Sequence, residues 1–157
     1  MSLLKFLMLL SLVVWIGGII FFAFAVAPTV FKVLPTRHLA GAVVTRSLAM
    51  LHWMGLASGI VFAISSMAYA HWTRGVVEPF ATRHLLVYIM LVLTVVSQFV
   101  VSPQMLGLRT QMVVIDDVPP TDARRVEFNR LHVWSTRLES AVLLLGLAAL
   151  YLTVRKL

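Results

Sequence analysis

The chain has 157 residues, 61% of them hydrophobic and none of them cysteine. Soluble domains hold roughly 45–50% apolar residues. The higher apolar fraction here, with a mean hydropathy of +0.96, excludes a water-soluble protein with a single hydrophobic core. The absence of cysteine excludes disulfides and thiolate metal sites. The net charge is +7, but the basic residues lie at the ends of apolar runs and form no continuous patch. We therefore expect a lipid bilayer, and no nucleic acid, as partner.

Four apolar windows are long enough to cross a bilayer, which requires about 20 apolar residues for a ~30 Å hydrocarbon layer. They cover roughly residues 3–27, 48–72, 84–107 and 131–154, so residues 1–157 form one predicted transmembrane domain. The run from Phe6 to Val26 is longer than the apolar region of a signal peptide. We interpret it as the first span, with cleavage near Ala23-Phe24-Ala25 as the alternative.

In the first span, Trp15-Ile16-Gly17-Gly18 is typical of close helix packing. A loop of about residues 32–46 follows, where Thr36 or Thr45 is a candidate cap for a short interfacial helix. Ser47 is the expected N-cap of the second span.

Gly55 and Gly59, four residues apart on the second span, predict close approach of a neighbouring helix. The third span, about 84–107, passes Gln98 before Pro103, and the long polar loop is predicted over about 109–129. His38, His71 and His84 lie near span ends, where we expect them at the membrane interface.

Short connections favour antiparallel neighbours, so the predicted fold is all-α: an integral membrane, up-down four-helix bundle. Eight lysines and arginines lie on the side of the first and third loops, which we name the B side, and five on the opposite side. The positive-inside rule then predicts a cytoplasmic B side and termini outside the cytoplasm. We expect a multi-pass protein of a bacterial inner membrane.

One two-helix unit is repeated in parallel. Ala27-Pro28 and Ser102-Pro103 end the first and third spans, while Leu51-His52 and Leu131-His132 open the apolar runs of the second and fourth. Such a parallel repeat has its axis along the membrane normal.

When the repeats are overlaid, His52, Gly55 and Gly59 match His132, Ser135 and Glu139. Offsets of 0, 3 and 7 share one helix face, so the two stripes are predicted to face each other, with the glycines leaving room for Glu139 or a ligand. Glu139 lies roughly 10 Å deeper than His132, at 1.5 Å per residue, and Gln98 is at a comparable depth. Charged groups within spans usually face the interior and indicate function.

Several short motifs resemble the four-span family of unknown function, of the DUF4149 type, that includes animal transmembrane protein 205. They are Trp15-x-Gly17-Gly18, Ala27-Pro28-x-x-Phe31 and Phe128-x-x-Leu131-His132-x-x-Ser135. That family is distantly similar to copper-resistance D proteins and to HemJ-type oxidases, which bind haem b. The resemblance implies a four-helix bundle and a metal or haem site. Met8 stands where those groups carry a first-span histidine, so no HemJ catalytic residue is transferred.

The leading hypothesis is a haem b or copper site between the second and fourth spans, with a role in copper or haem handling or in membrane redox chemistry. His52 and His132 would be its ligands, Ser135 and Glu139 would orient an imidazole, and Arg46 and Arg130 would meet haem propionates. The alternatives are a cofactor-free transport or resistance protein that uses Glu139, which would require a homo-oligomer, and an accessory membrane subunit. A hydrolase is unfavourable because no oxyanion hole accompanies His132 and Ser135.

Overall fold

The computed structural model describes residues 2–112 and 115–155. Four helices are long and apolar enough to cross a membrane, as predicted: α1 (Ser2–Val33), α2 (Arg37–Arg74), α3 (Thr82–Met112) and α4 (Ala123–Val154). A short 3-10 turn, Ile115–Asp117, lies between α3 and α4. Within the described residues all regular structure is helical.

The helix α2 begins earlier than the sequence predicted. Thr36 has extended backbone angles, and its Oγ1 accepts a hydrogen bond from the Leu39 amide at 3.2 Å, so Thr36 is the N-cap of α2 itself. The predicted loop over 32–46 and the predicted cap at Ser47 are therefore wrong. The apolar pattern starts near Ser47, whereas the helix begins ten residues earlier, at Arg37. Its N-cap, Thr36, lies outside the apolar, membrane-spanning part of the helix.

The polar loop between α3 and α4 is also shorter than the predicted 109–129. The α3 helix continues to Met112, and α4 begins at Ala123 after the N-cap Asp122, whose carboxylate accepts from the Arg124 amide at 2.8 Å. At the other end of the bundle α2 stops at Gly75, which has φ of 70°. Only glycine adopts that left-handed conformation without strain, which ends the helix there.

The four helices form a square bundle. Helix α1 packs along α2 and α4, while α3 packs along the same two partners, so α2 and α4 lie on one diagonal. The side chains turned outward are mostly apolar, including Phe6, Ile64 and Leu144, as expected where lipid is the solvent.

The indole of Trp15 occupies the centre of the bundle, with only 1% of its surface exposed. A Cβ on Gly55 would collide with this ring, and a Cβ on Gly59 would collide with Trp15 and Leu91. The two glycines therefore admit Trp15, as the close-packing interpretation of the Trp15-Gly17-Gly18 segment requires. The prediction that they leave room for Glu139 is wrong, because the α1 face, rather than α4, covers them.

The repeat is visible in the backbone. A π-helical turn interrupts α1 at Phe22–Val26 and α3 at Ser97–Val101, and each starts six residues before a proline. Proline lacks an amide proton and its ring clashes with the carbonyl four residues earlier, so the helix widens before it. Pro28 and Pro103 thus impose the same local geometry on the two equivalent helices.

Candidate functional site

The buried imidazole of His52 joins three helices on the B-side half of the bundle. Its Nδ1 lies 2.8 Å from Oε1 of Gln98 on α3, and its Nε2 lies 2.6 Å from Oε1 of Glu139 on α4. The ring is 1% exposed and the Glu139 side chain 17% exposed. The structure therefore brings together Gln98 and Glu139, which were predicted at a comparable depth, and adds His52, which the repeat had placed at the depth of His132, about 10 Å nearer the B side. We name them the His52 triad.

The chemistry of this triad follows from its acceptors. The amide oxygen of Gln98 only accepts, so Nδ1 of His52 donates to it. The proton between His52 and Glu139 lies either on the imidazole, giving an ion pair, or on the carboxyl group, giving a neutral pair. Both forms have zero net charge, which a low-dielectric interior favours. The imidazole and the carboxyl group therefore share one proton.

A cavity of about 630 Å³ lies beside the triad, between the C-terminal half of α1 and the N-terminal half of α4. Its α1 wall is apolar, with Ile19, Phe22 and Ala27. Its α4 wall is mixed: Phe128 and Leu143 are apolar, and the polar lining residues past Arg125 are Asn129, His132, Ser135, Thr136, Glu139 and Ser140. The volume falls in the range of about 300–1,000 Å³ that is typical of small-molecule sites.

The predicted site residues take different positions around this cavity. Ser135 is buried and lines the cavity, whereas His132 is exposed and lines it from α4. Arg46 and Arg130 are exposed and do not line it; Arg130 pairs with Glu127 at 2.7 Å.

The residues fit a two-histidine metal or haem site poorly in this arrangement. Both ring nitrogens of His52 are engaged by protein groups, so ligation would require release of Gln98 or Glu139. Within residues 2–112 and 115–155, no cluster of three or more histidine, aspartate or glutamate side chains is placed to hold a metal ion. The ligand pair His52 and His132 stays a prediction.

The repeat explains where the cavity lies. An offset of 75 residues between Pro28 and Pro103 pairs Ala23 with Gln98, and an offset of 80 residues between the histidines pairs Gly59 with Glu139. The second copy of the triad would therefore consist of His132, Ala23 and Gly59, which carry no polar partner for the ring. Ala23 and His132 both line the cavity, whereas the space beside Gly59 is filled by Trp15 and Leu91.

The outer, B-side end of the cavity is basic. Arg37, Arg109 and Arg125 line it, one each from α2, α3 and α4. Arg109 is only 6% exposed and donates from Nη1 to Thr45 Oγ1 at 3.3 Å and from Nη2 to the carbonyl of His38. The sequence did not single out these three residues: among the B-side arginines only Arg46 and Arg130 were predicted to meet a ligand, and they do not line the cavity.

A second buried histidine was also misplaced by the sequence. His84 was predicted at the interface, but it is fully buried: Nδ1 donates to the Glu78 carbonyl at 2.8 Å, and Nε2 lies 2.7 Å from Oγ of Ser66. The α3 helix starts at Thr82, so His84 lies in its first turn, where the side chain is turned against Ser66 of α2 and not outward. Its partners are all protein groups that close the end of the bundle, which indicates a structural role.

The fold and site together define a four-helix integral membrane protein with a polar triad and a cavity within its B-side half. The family model described as a domain of unknown function, DUF4149, matches residues 10–113, which is more than half of the chain. The chain therefore belongs to the DUF4149 family, which confirms the family prediction. Comparisons with curated proteins and with solved structures find no match.

Proposed function

We propose that this protein is a small, proton-linked membrane carrier that binds a solute in the cavity and exchanges a proton at Glu139. The observation that carries the proposal is the dual position of Glu139: one carboxylate oxygen meets His52, and the side chain lines the cavity. A ligand or water that enters the cavity thereby reaches a carboxyl group whose proton is shared with a buried base.

The pathway to Glu139 supports this role. Hydroxyl, amide and imidazole groups line α4 from Asn129 to Ser140, whereas the opposite wall on α1 is apolar. Polar and ionisable groups inside a membrane are costly and usually mark substrate or proton pathways. The polar groups on α4 give water and solutes a route to Glu139 along one wall of the cavity, and the facing wall on α1 offers them no hydrogen bonds from its side chains.

The test uses the absence of native cysteine, which makes single-cysteine variants clean probes. Ser140→Cys lies on the cavity wall, and Leu147→Cys, on the outer apolar surface, is the matched control. In proteoliposomes a membrane-impermeant thiol reagent should label Ser140→Cys from one side and leave Leu147→Cys unlabelled. Labelling rates are normalised to those of the unfolded variants, to remove the pH dependence of the thiol itself.

The proton link has its own prediction in the same assay. The normalised labelling rate of Ser140→Cys should change with pH, and the added substitution Glu139→Gln should remove that change. A cavity that resists labelling at every pH, or a pH dependence that survives Glu139→Gln, contradicts the proposal. Labelling from the side opposite the termini also tests the proposed cytoplasmic B side.

A haem or copper cofactor is the second candidate, and the exposed His132 beside Met105 in the cavity wall favours it. Imidazole suits haem iron and copper, and thioethers suit Cu(I). The absorption spectrum and metal content of the purified protein decide this candidate. Haem or copper that is lost in His132→Ala supports it; colourless, metal-free protein that also fails to bind added haem or copper contradicts it.

The location and assembly belong to the same proposal. We infer a bacterial inner-membrane protein, and a carrier of only four helices would act as a homo-oligomer. Mass measurement of the protein in lipid nanodiscs tests the assembly: a dimer or larger species is expected, and a strictly monomeric, active protein contradicts it.

A further inference from the structure

We propose that the outer end of the cavity binds the head group of an anionic phospholipid, whose acyl chain lies in the cavity. This inference concerns the arginine end of the cavity and does not rest on proton exchange at Glu139. Three observations carry it: a buried arginine that pairs with no acidic side chain among the described residues, a glycine against which it lies, and a mainly apolar chamber of one leaflet's depth.

Arg109 is a buried cation without a counter-ion. Its guanidinium donates to the His38 carbonyl and to Thr45, both uncharged. None of the ion pairs among the described residues includes Arg109. An unpaired charge removed from water is costly, and guanidinium groups are well suited to phosphate. An anion supplied from outside the chain would offset that cost.

The arginine is seated by its neighbours on α2. The Arg109 guanidinium lies directly against Gly41, and a Cβ added there would meet it and force the guanidinium to shift. Thr45 donates to the Gly41 carbonyl at 2.7 Å while its oxygen accepts from Arg109. Arg37 and Arg125 line the same end and add two more positive charges. This is a built anion site rather than a chance cluster of surface cations.

The dimensions of the cavity fit an acyl chain. Gly41 is eleven residues from His52 along α2, and Arg109 is eleven residues from Gln98 along α3, so the arginine level lies about 16 Å above the triad. Half of a ~30 Å hydrocarbon layer is about 15 Å. A lipid of the B-side leaflet with its phosphate at Arg109 therefore extends its chain past Phe22 and Leu143, both in the cavity wall, toward mid-membrane.

The experiment compares retention of phosphatidylglycerol and phosphatidylcholine by the purified full chain, measured by native mass spectrometry. Wild type should retain one phosphatidylglycerol in preference to phosphatidylcholine. Arg109→Gln should weaken that retention about tenfold or more, the cost of a hydrogen bond to a charged group. Arg46→Gln is the matched control, because Arg46 is a B-side arginine that does not line the cavity, and it should change retention less than twofold.

Two further arms keep the proposal falsifiable. If Arg109→Gln does not fold, Ala23→Phe fills the cavity without changing any charge and should also reduce phosphatidylglycerol retention. Inorganic phosphate should fail to displace the lipid at concentrations where the preference is measured. Equal retention of the two lipids, equal loss in Arg46→Gln, full retention in Ala23→Phe, or displacement by phosphate alone would each overturn the proposal. None of these results depends on Glu139, so failure here leaves the carrier proposal standing.

Discussion

Replacement of His52 by leucine removes the centre of the triad. Gln98 and Glu139 then lose the ring nitrogens that lie 2.8 Å and 2.6 Å from their Oε1 atoms in the wild type. Hydrogen bonds between membrane helices contribute about 0.6 kcal/mol on average and up to about 1.7. Leaving a buried polar group unpaired costs a further 1–3 kcal/mol or so. Because Glu139 is 17% exposed to the cavity, water replaces part of the lost interaction, and we expect His52→Leu to cost about 2–3 kcal/mol.

The double-mutant cycle with Glu139→Leu isolates the pair. Glu139→Leu alone leaves the His52 imidazole without its carboxylate partner. The double variant His52→Leu/Glu139→Leu leaves no unpaired charge, and apolar replacement of both members of a buried pair is often tolerated. The double variant should therefore be more stable, by about 1–2 kcal/mol, than the sum of the single effects predicts. Glu139→Gln keeps an oxygen acceptor and should cost less than about 1 kcal/mol.

Reversible unfolding in mixed micelles provides the free energies of unfolding. His71→Leu is the control, because His71 is exposed and its replacement should change stability by no more than about 0.5 kcal/mol. Strict additivity of His52→Leu and Glu139→Leu would refute the view that these two side chains interact in the folded bundle.

Gly55→Ala should destabilise the protein by about 1–3 kcal/mol, because the added Cβ meets the Trp15 ring. Gly17→Ala, with open space around it, should be neutral or stabilising in the same unfolding assay. Equal effects of the two substitutions would contradict the packing argument. The hydrogen bond from Arg124 lowers the pKa of Asp122 from 3.8 to about 2, so this N-cap stabilises the folded state above pH 4 or so and loses that contribution as the pH falls through about 2. The protection of the Arg124 amide, which is its exchange rate relative to that of an unfolded peptide at the same pH, should therefore fall on acidification in wild type and show no such transition in Asp122→Asn; identical acid profiles would contradict it.

The sequence predicted the fold well because its signals are local. Apolar length defines four spans, and proline fixes a π turn at the same place in α1 and α3. The depth estimate also placed Gln98 and Glu139 at a comparable level, because helical rise converts residue number directly into distance. It placed His52 about 10 Å nearer the B side than Glu139, with which His52 is in contact.

The rotation of each helix in the bundle could not be predicted in the same way. Gly55 and Gly59 contact Trp15 rather than Glu139, since the packing of α1 against α2 decides which face the glycines turn to it. The repeat suggested equal roles for His52 and His132, yet His132 is exposed at the cavity. His52 is hydrogen-bonded because α3 and α4 place Gln98 and Glu139 beside it, which residue spacing along one helix does not reveal.

The central claim is that Glu139 exchanges a proton with the cavity while it is bonded to His52. Infrared difference spectroscopy of the protein in lipid, recorded between acidic and alkaline pH, measures this directly through the carboxylic acid C=O band. The account predicts a titrating band that vanishes in Glu139→Gln and shifts in His52→Leu, where its hydrogen-bond partner is gone. A spectrum without a titrating band assigned to Glu139, or a band that His52→Leu leaves unchanged, would contradict it.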